Sequence, residues 1–317
     1  MQRYIIQRLL LAVPTLFGLT LLVFVALRVV LPTDVVDRIV GEYGRNDIER
    51  QRQLRDELGL SASLPRQYLT WIGGILRGDM GRSLHSGIPV TTEMRRRIPV
   101  SLELGLVGLA SSVLLAIPIG MIAAIKQDRA PDYLLRGGAI LLNALPGFWL
   151  AILILTFGSI WFQWAPPVKF KYLTEDPWEH LKIMLTPALL IGLTPSGGLI
   201  RLVRTQMLEV LRQDYIRTAR AKGLQPGTVV FRHALRNSLI PVVTVIGLTL
   251  PTLVAGTVIF ETIFIIPGVG RYLVDSVNNL DYPVIQATNL FFAVLIVAAN
   301  LAVDVSYAVL DPRIRYS

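Results

Sequence analysis

The sequence predicts an all-helical, polytopic membrane protein: about six transmembrane helices and a small external subdomain between the first two. Three observations predict it. Of the 317 residues, 53% are hydrophobic and 17% charged, against roughly 25% charged in a soluble domain. A mean hydropathy of +0.55 then requires that much of the surface face lipid. Finally, several stretches free of Asp, Glu, Lys and Arg approach the roughly 20 residues with which a helix crosses a hydrocarbon core about 30 Å thick.

Those stretches are Leu9–Leu27, Leu104–Ile125, Gly137–Val168, Ile183–Ile200, Asn237–Phe260 and Tyr282–Val303. The first follows a basic start (Arg3, Arg8) but is longer than a signal-peptide core of about 7–15 residues. Arg28 to Asp34 shows no small-x-small cleavage site, so the stretch reads as a retained helix within 1–31. Gly137–Val168 is long for one span and short for two; Trp161, Phe162 and Trp164 before Pro166 and Pro167 read as an interfacial aromatic belt. Residues 32–98 are too polar to span and form the external segment. Within it Asp47–Leu58 reads as a short charged helix stopped by Gly59, and Gln67–Leu76 as an amphipathic piece lying along the membrane face. The transmembrane core then runs over 99–309, with a cytoplasmic loop at 205–236, and 310–317 form a tail.

Charge sets the orientation. The segment 201–236 carries Arg201, Arg204, Arg212, Arg217, Arg220, Lys222, Arg232 and Arg236 against only Glu209 and Asp214. Short basic loops stay in the cytoplasm, which places both termini inside. The loop at 164–182 pulls the other way with Lys169, Lys171 and Lys182, offset by Glu175, Asp176 and Glu179. The net charge of +9 is spread between apolar runs, so it marks topology and not a nucleic-acid surface.

Enzymatic signatures are missing from the sequence. No Gly-Lys dipeptide occurs, so there is no phosphate-binding loop of the G-x-x-x-x-G-K-[ST] type. There are no cysteines, and His85, His180 and His233 lie too far apart in sequence to suggest metal ligation; no catalytic, cofactor or metal residue is expected.

The informative segment is Asp214–Leu224 (DYIRTARAKGL), followed by Gln225-Pro226-Gly227 and a basic stretch from Phe231 to Pro241. It reads as a short helix over Tyr215–Lys222 with small residues at Thr218, Ala219 and Ala221, terminated by Gly223. Such a helix can dock into a cleft on another protein. On the residues alone, a solvated basic loop that only fixes topology remains equally open.

This segment resembles the EAA-type motif of ABC importer permeases, in the D-Y-[IV]-R-T-A-R-A-K-G-L form of the dipeptide/oligopeptide/nickel branch. The wider pattern has Glu and Ala where Arg217 and Thr218 stand, and a proline at Arg236 that is here displaced to Pro241. Other stretches are similar to that branch in the same order: Pro14-Thr15-Leu16, Pro65–Tyr68, Arg77–Ser83, Leu145–Trp149, Glu261–Arg271, Asp281-Tyr282-Pro283 and the end Leu310–Arg315. The opening helix and long external loop resemble the first of the two permeases that such systems encode.

The resemblance implies a type I ABC importer permease: a pore subunit paired with a second, homologous permease, two ATPase domains or subunits below it, and a substrate-binding protein outside. ATP and Mg would sit on the ATPases, with no cofactor in this chain. Asp214, Tyr215, Arg217, Thr218, Ala219, Ala221, Lys222, Gly223 and Leu224 would form the ATPase-coupling segment, and Lys126–Arg136 a second, smaller contact. ATP-driven closure below would switch the pore between inward- and outward-facing states. Peptides are the expected cargo; nickel chelates, glutathione or oligosaccharides would use the same machine.

Single residues carry less. Asn143 and Pro146 could line a pore or form a packed kink, and Glu261 could line the pore or pair with Arg271 near the outer face. Asp304 could pair with Arg313, and His233 reads as exposed or capping. A stand-alone secondary transporter would need ionisable groups deep in its spans, and Asp304, near one face, is the only candidate.

Overall fold

A computed structural model describes residues 2–30, 36, 48–57, 59–167 and 169–310. Most of these residues are helical, and no strand is present among them. Much of 31–47, the C-terminal tail beyond Leu310, and the side chains of Asp304 and Arg313 lie outside the described residues, so the expected Asp304–Arg313 contact does too.

Helix α1 spans Gln2–Val25 and continues as a π-helical turn to Val30. The segment between α1 and the core contributes α2 (Ile48–Glu57) and α3 (Leu64–Leu76). The core follows: α4 (Val90–Ile125), α5 (Ala130–Ala144), α6 (Gly147–Phe162), α7 (Pro177–Leu211), the short α8 (Asp214–Ala221), α9 (Arg236–Ile263), α10 (Val269–Asn278) and α11 (Tyr282–Leu310). Among the described residues, five helices are long and apolar enough to cross a membrane, or six if the α5–α6 pair is one span.

That pair settles the overlong third stretch. Leu145 and Pro146 are extended, and α6 leaves α5 at 97°, so Gly137–Val168 is a broken element and not one straight helix. Pro146 cannot continue α5, but with its fixed φ it stands at the N-cap of α6. Trp161 and Phe162 remain exposed at the end of α6, as residues of an aromatic belt would.

The most extensive packing is α4 against α7. Lipid tails are as apolar as Leu, so helices in a membrane associate through close packing at small residues. A Cβ on Gly108 would stand 2.7 Å from Ile191 Cγ2, and one on Gly120 would stand 2.7 Å from the Ile200 carbonyl. A Cβ on Gly192 would overlap the Gly108 carbonyl and reach 2.8 Å from the Ser112 amide. Further along α7, Gly197 admits the backbone of α5, where a Cβ would meet the Asn143 amide at 3.0 Å. The apolar part of α7 is 61% buried within the chain, that of α1 only 12%, so α7 is the central helix and α1 a peripheral one.

The segment carrying α2 and α3 is bound to this core by specific contacts. The amphipathic α3 turns its aromatic face onto α1: Tyr68 is buried between Phe17, Phe24 and Trp71, with its hydroxyl 2.9 Å from Thr20 Oγ1. Asp281, buried before α11, accepts from Ser83 Oγ at 2.5 Å and from the Leu84 amide at 3.1 Å. His180, near the start of α7, bridges the Lys171 carbonyl (2.7 Å) and Glu103 of α4 (2.8 Å). Its role here is structural.

Gly192→Val should destabilise the protein by about 3 kcal/mol, the upper end of the usual overpacking range. Gly18→Ala, which points into open space, should leave stability unchanged. Thermal unfolding of the detergent-purified chain, followed by size exclusion, separates the two.

Candidate functional site

The basic loop that follows α7 is built as an extension of that helix. Arg212 and Gln213 end that helix, and α8 starts at once at Asp214. Asp214 in the first turn and Arg220 in the last oppose the helix dipole at both ends. The C-terminus closes in a Schellman arrangement: the Gly223 amide donates to the Arg220 carbonyl (2.9 Å) and the Leu224 amide to the Ala219 carbonyl (3.4 Å). Gly223 has φ +77°, which explains why glycine is required there.

Ile216 and Ala219 point inward and pack with Ala124 of α4, Val203 and Met207 of α7, and Val229, Ala234 and Val242. This corrects the expected small-residue face. Ala219 is a core residue, and the outer face consists of Asp214, Tyr215, Arg217, Thr218, Ala221 and Lys222, with Leu224 beside the cap. Arg217 pairs with Asp214 at 3.2 Å, in full exposure. Tyr215 Oη accepts from Asn237 Nδ2 at 2.9 Å, which ties α8 to the first turn of α9. Between them runs a single turn, Pro226–Thr228, and a π-helical stretch, Val229–Leu235, a geometry frequent at functional sites.

The second loop is anchored by a residue that sequence reasoning passed over. Asp132 in the first turn of α5 is fully buried and takes a two-pronged contact from Arg204 of α7, Nε to Oδ1 and Nη2 to Oδ2, both at 2.6 Å. Its Oδ2 also accepts the Asp128 amide at 3.0 Å. In the sequence Asp132 was one charge of a loop and Arg204 one count toward topology; neither has a local pattern that announces a partner 72 residues away.

Asn143 and Pro146 flank the α5–α6 break and are exposed on this chain. Glu261, by contrast, is fully buried. It does not pair with the Arg271 guanidinium, which bonds instead to the Ile265 carbonyl (2.8 Å) and lies 3.7 Å from Asp275. Its carboxylate accepts the Arg271 backbone amide at 3.0 Å, while Ser101 Oγ of α4 accepts the Val269 amide at 2.8 Å. Together they satisfy free amides at the start of α10, so Glu261, buried within the chain, serves as a remote N-cap joining α9, α10 and α4.

The helical bundle matches a known architecture. Residues 116–316 match the family described as binding-protein-dependent transport system inner membrane component, and residues 1–104 match its N-terminal part. The chain belongs to this family. It is 39% identical, over 100% of its length and 99% of the relative's, to the dipeptide transport system permease protein DppB of Escherichia coli K12. It is 36% identical, over 100% of both chains, to the oligopeptide transport system permease protein AppB of Bacillus subtilis. Among solved structures, it resembles a chain of the MetNI methionine ABC transporter in inward-facing conformations, with a TM-score of 0.56 and 15% identity, covering 69% of this chain and 96% of that one. That likeness supports the fold. The chain is therefore a multi-pass inner-membrane component of a binding-protein-dependent transport system.

Glu261→Ala should remove the cap of α10 and lower stability by about 2 kcal/mol, the high end for losing an N-cap. Glu261→Gln, which keeps an acceptor oxygen, should cost less. Thermal unfolding in detergent measures both.

Proposed function

We propose that this chain is one of two pore-forming subunits of an ATP-driven importer for di- or oligopeptides. Its full-length similarity to a dipeptide permease and an oligopeptide permease carries this reading. A second, homologous permease completes the pore, two ATPase domains on partner chains bind ATP and Mg, and an external binding protein delivers the peptide. The chain itself is not an enzyme. The outer face of α8, with Tyr215, Arg217, Thr218, Ala221 and Lys222, docks in a cleft of an ATPase, and Lys126–Arg136 makes a smaller contact beside it. Asn143 and Pro146, exposed at the α5–α6 break, line the path or the contact with the second permease.

Mechanistically, the loop suits the transmission of force. Ile216 and Ala219 seat α8 in the same cluster as Val203 and Met207 of α7, so displacement of α8 is displacement of α7. Through the Gly108–Gly192 and Gly120–Ile200 approaches, α7 carries α4 with it. ATP-driven closure beneath the loop is thereby converted into a rearrangement of the bundle, with two global states biased from opposite sides of the membrane.

Mild purification of the tagged chain from its own membranes should recover a second permease, ATPase and binding protein. Membranes holding the complex should take up labelled dipeptide in an ATP-dependent manner; recovery of the chain alone from a preparation that preserves other complexes would overturn the reading. Ala221→Trp, on the exposed face, should reduce uptake at least about tenfold with normal insertion, equal to 1.4 kcal/mol or more of lost coupling. Ala219→Glu should instead destabilise the loop, because it buries an unpaired charge. With no native cysteine, a single cysteine at Lys222 should react with an impermeant maleimide only in inverted vesicles, and one at Ser86 only in right-side-out cells.

A further inference from the structure

Two cytoplasmic segments lie far apart in sequence: the loop Lys126–Arg136 and the α8 helix. Each is short and largely exposed, and each leads into a different helix of the bundle. Packing alone gives them unequal support. The buried face of α8 sits in an apolar cluster with α4 and α7. The turn at 126–129 has no such cluster, and Asp128 there adopts a left-handed φ of +59°.

Asp132 supplies what packing does not. One carboxylate oxygen shapes the turn by accepting the Asp128 amide, and both oxygens take the Arg204 fork. Arg204 follows Val203 of the α7–α8 cluster and stands two turns before the end of the α7 stem that carries α8. A planar guanidinium meeting a carboxylate through two parallel bonds defines both distance and angle, which a lone apolar contact or a single hydrogen bond does not. The pair is also shielded: Asp132 is fully buried, and the Arg204 side chain is 14% exposed.

We propose that the Asp132–Arg204 pair is a strut that locks the 126–136 loop onto the stem of α8, so that both cytoplasmic contacts move as one rigid body during the ATP-driven cycle. Both are positioning residues. This inference rests on the importer reading given above and adds to it a residue pair with a defined mechanical role.

The experiment uses the assembled importer in nanodiscs, with spin labels on cysteines at Gly137, just past the loop, and Gln213, at the α7–α8 junction, both exposed and outside the two proposed ATPase contacts, in a background that retains uptake; the chain has no cysteine of its own. Replacing a buried ion pair by apolar residues of similar size is often neutral for stability, so Asp132→Leu with Arg204→Met removes the strut and leaves no orphaned charge. In the parent, the label-to-label distance should be narrow and the same without nucleotide and with trapped ATP. In the double variant it should broaden and shift between those states, and peptide imported per ATP hydrolysed should fall at least tenfold while the ATPase remains bound. Arg204→Lys, which keeps the charge and loses the fork, should show a smaller loss of the same kind and serves as the reading if the double variant does not assemble. A narrow, state-independent distance with unchanged transport per ATP in either variant overturns the strut, as does a parent whose distance itself changes between states. A parent complex with no ATP-dependent uptake would instead overturn the importer reading, whatever the variants do.

Discussion

The structure depends on how closely the backbones of α4 and α7 approach each other. Within a bilayer there is no water to expel from between two apolar helices, so association relies on dispersion and on short distances. Gly108 against Ile191, Gly192 against the backbone of Gly108 and Ser112, and Gly120 against Ile200 and Val203 mark the crossing along its length. Gly197 extends it by admitting α5. With α7 held from two sides, its C-terminal end has a defined direction, and α8 inherits that direction.

Polar side chains do a different job, and they do it at the ends of the helices. Asp281 joins the 83–84 loop to the start of α11, and His180 with Glu103 joins α7 to α4 on the same side. Glu261 and Ser101 cap α10. On the opposite side, Asp132 and Arg204 join α5 to α7. A buried polar group is costly unless it is bonded, and once bonded it is specific in distance and direction. The long helices are thus packed through small residues and glycines, while their connections are placed by directional hydrogen bonds.

The loop around α8 combines both devices. Ile216 and Ala219 give α8 an apolar seat, the Gly223 cap gives it a sharp end, and Tyr215 bonds it to α9 through Asn237. What remains outward is a compact set of polar and small side chains on a helix packed against α7.

Much of this was legible in the sequence. Uninterrupted apolar runs have no stable alternative to helices in lipid, because the backbone must satisfy itself. The spans, the charged helix before Gly59, the amphipathic α3 and the short helix ended by Gly223 therefore follow from composition and local chemistry, and the order of motifs carried the family. Tertiary structure decided what depends on residues distant along the chain. It turned the long third stretch at Leu145-Pro146, set Ala219 on the buried face of α8 and not among its exposed residues, and buried Glu261 as a cap for α10 instead of pairing it with the Arg271 guanidinium. It also joined Asp132 to Arg204. The reason is the same in each case: hydropathy and periodicity report which face of an element is apolar, whereas the partner of a buried polar or small residue is set by the packing of another element against it.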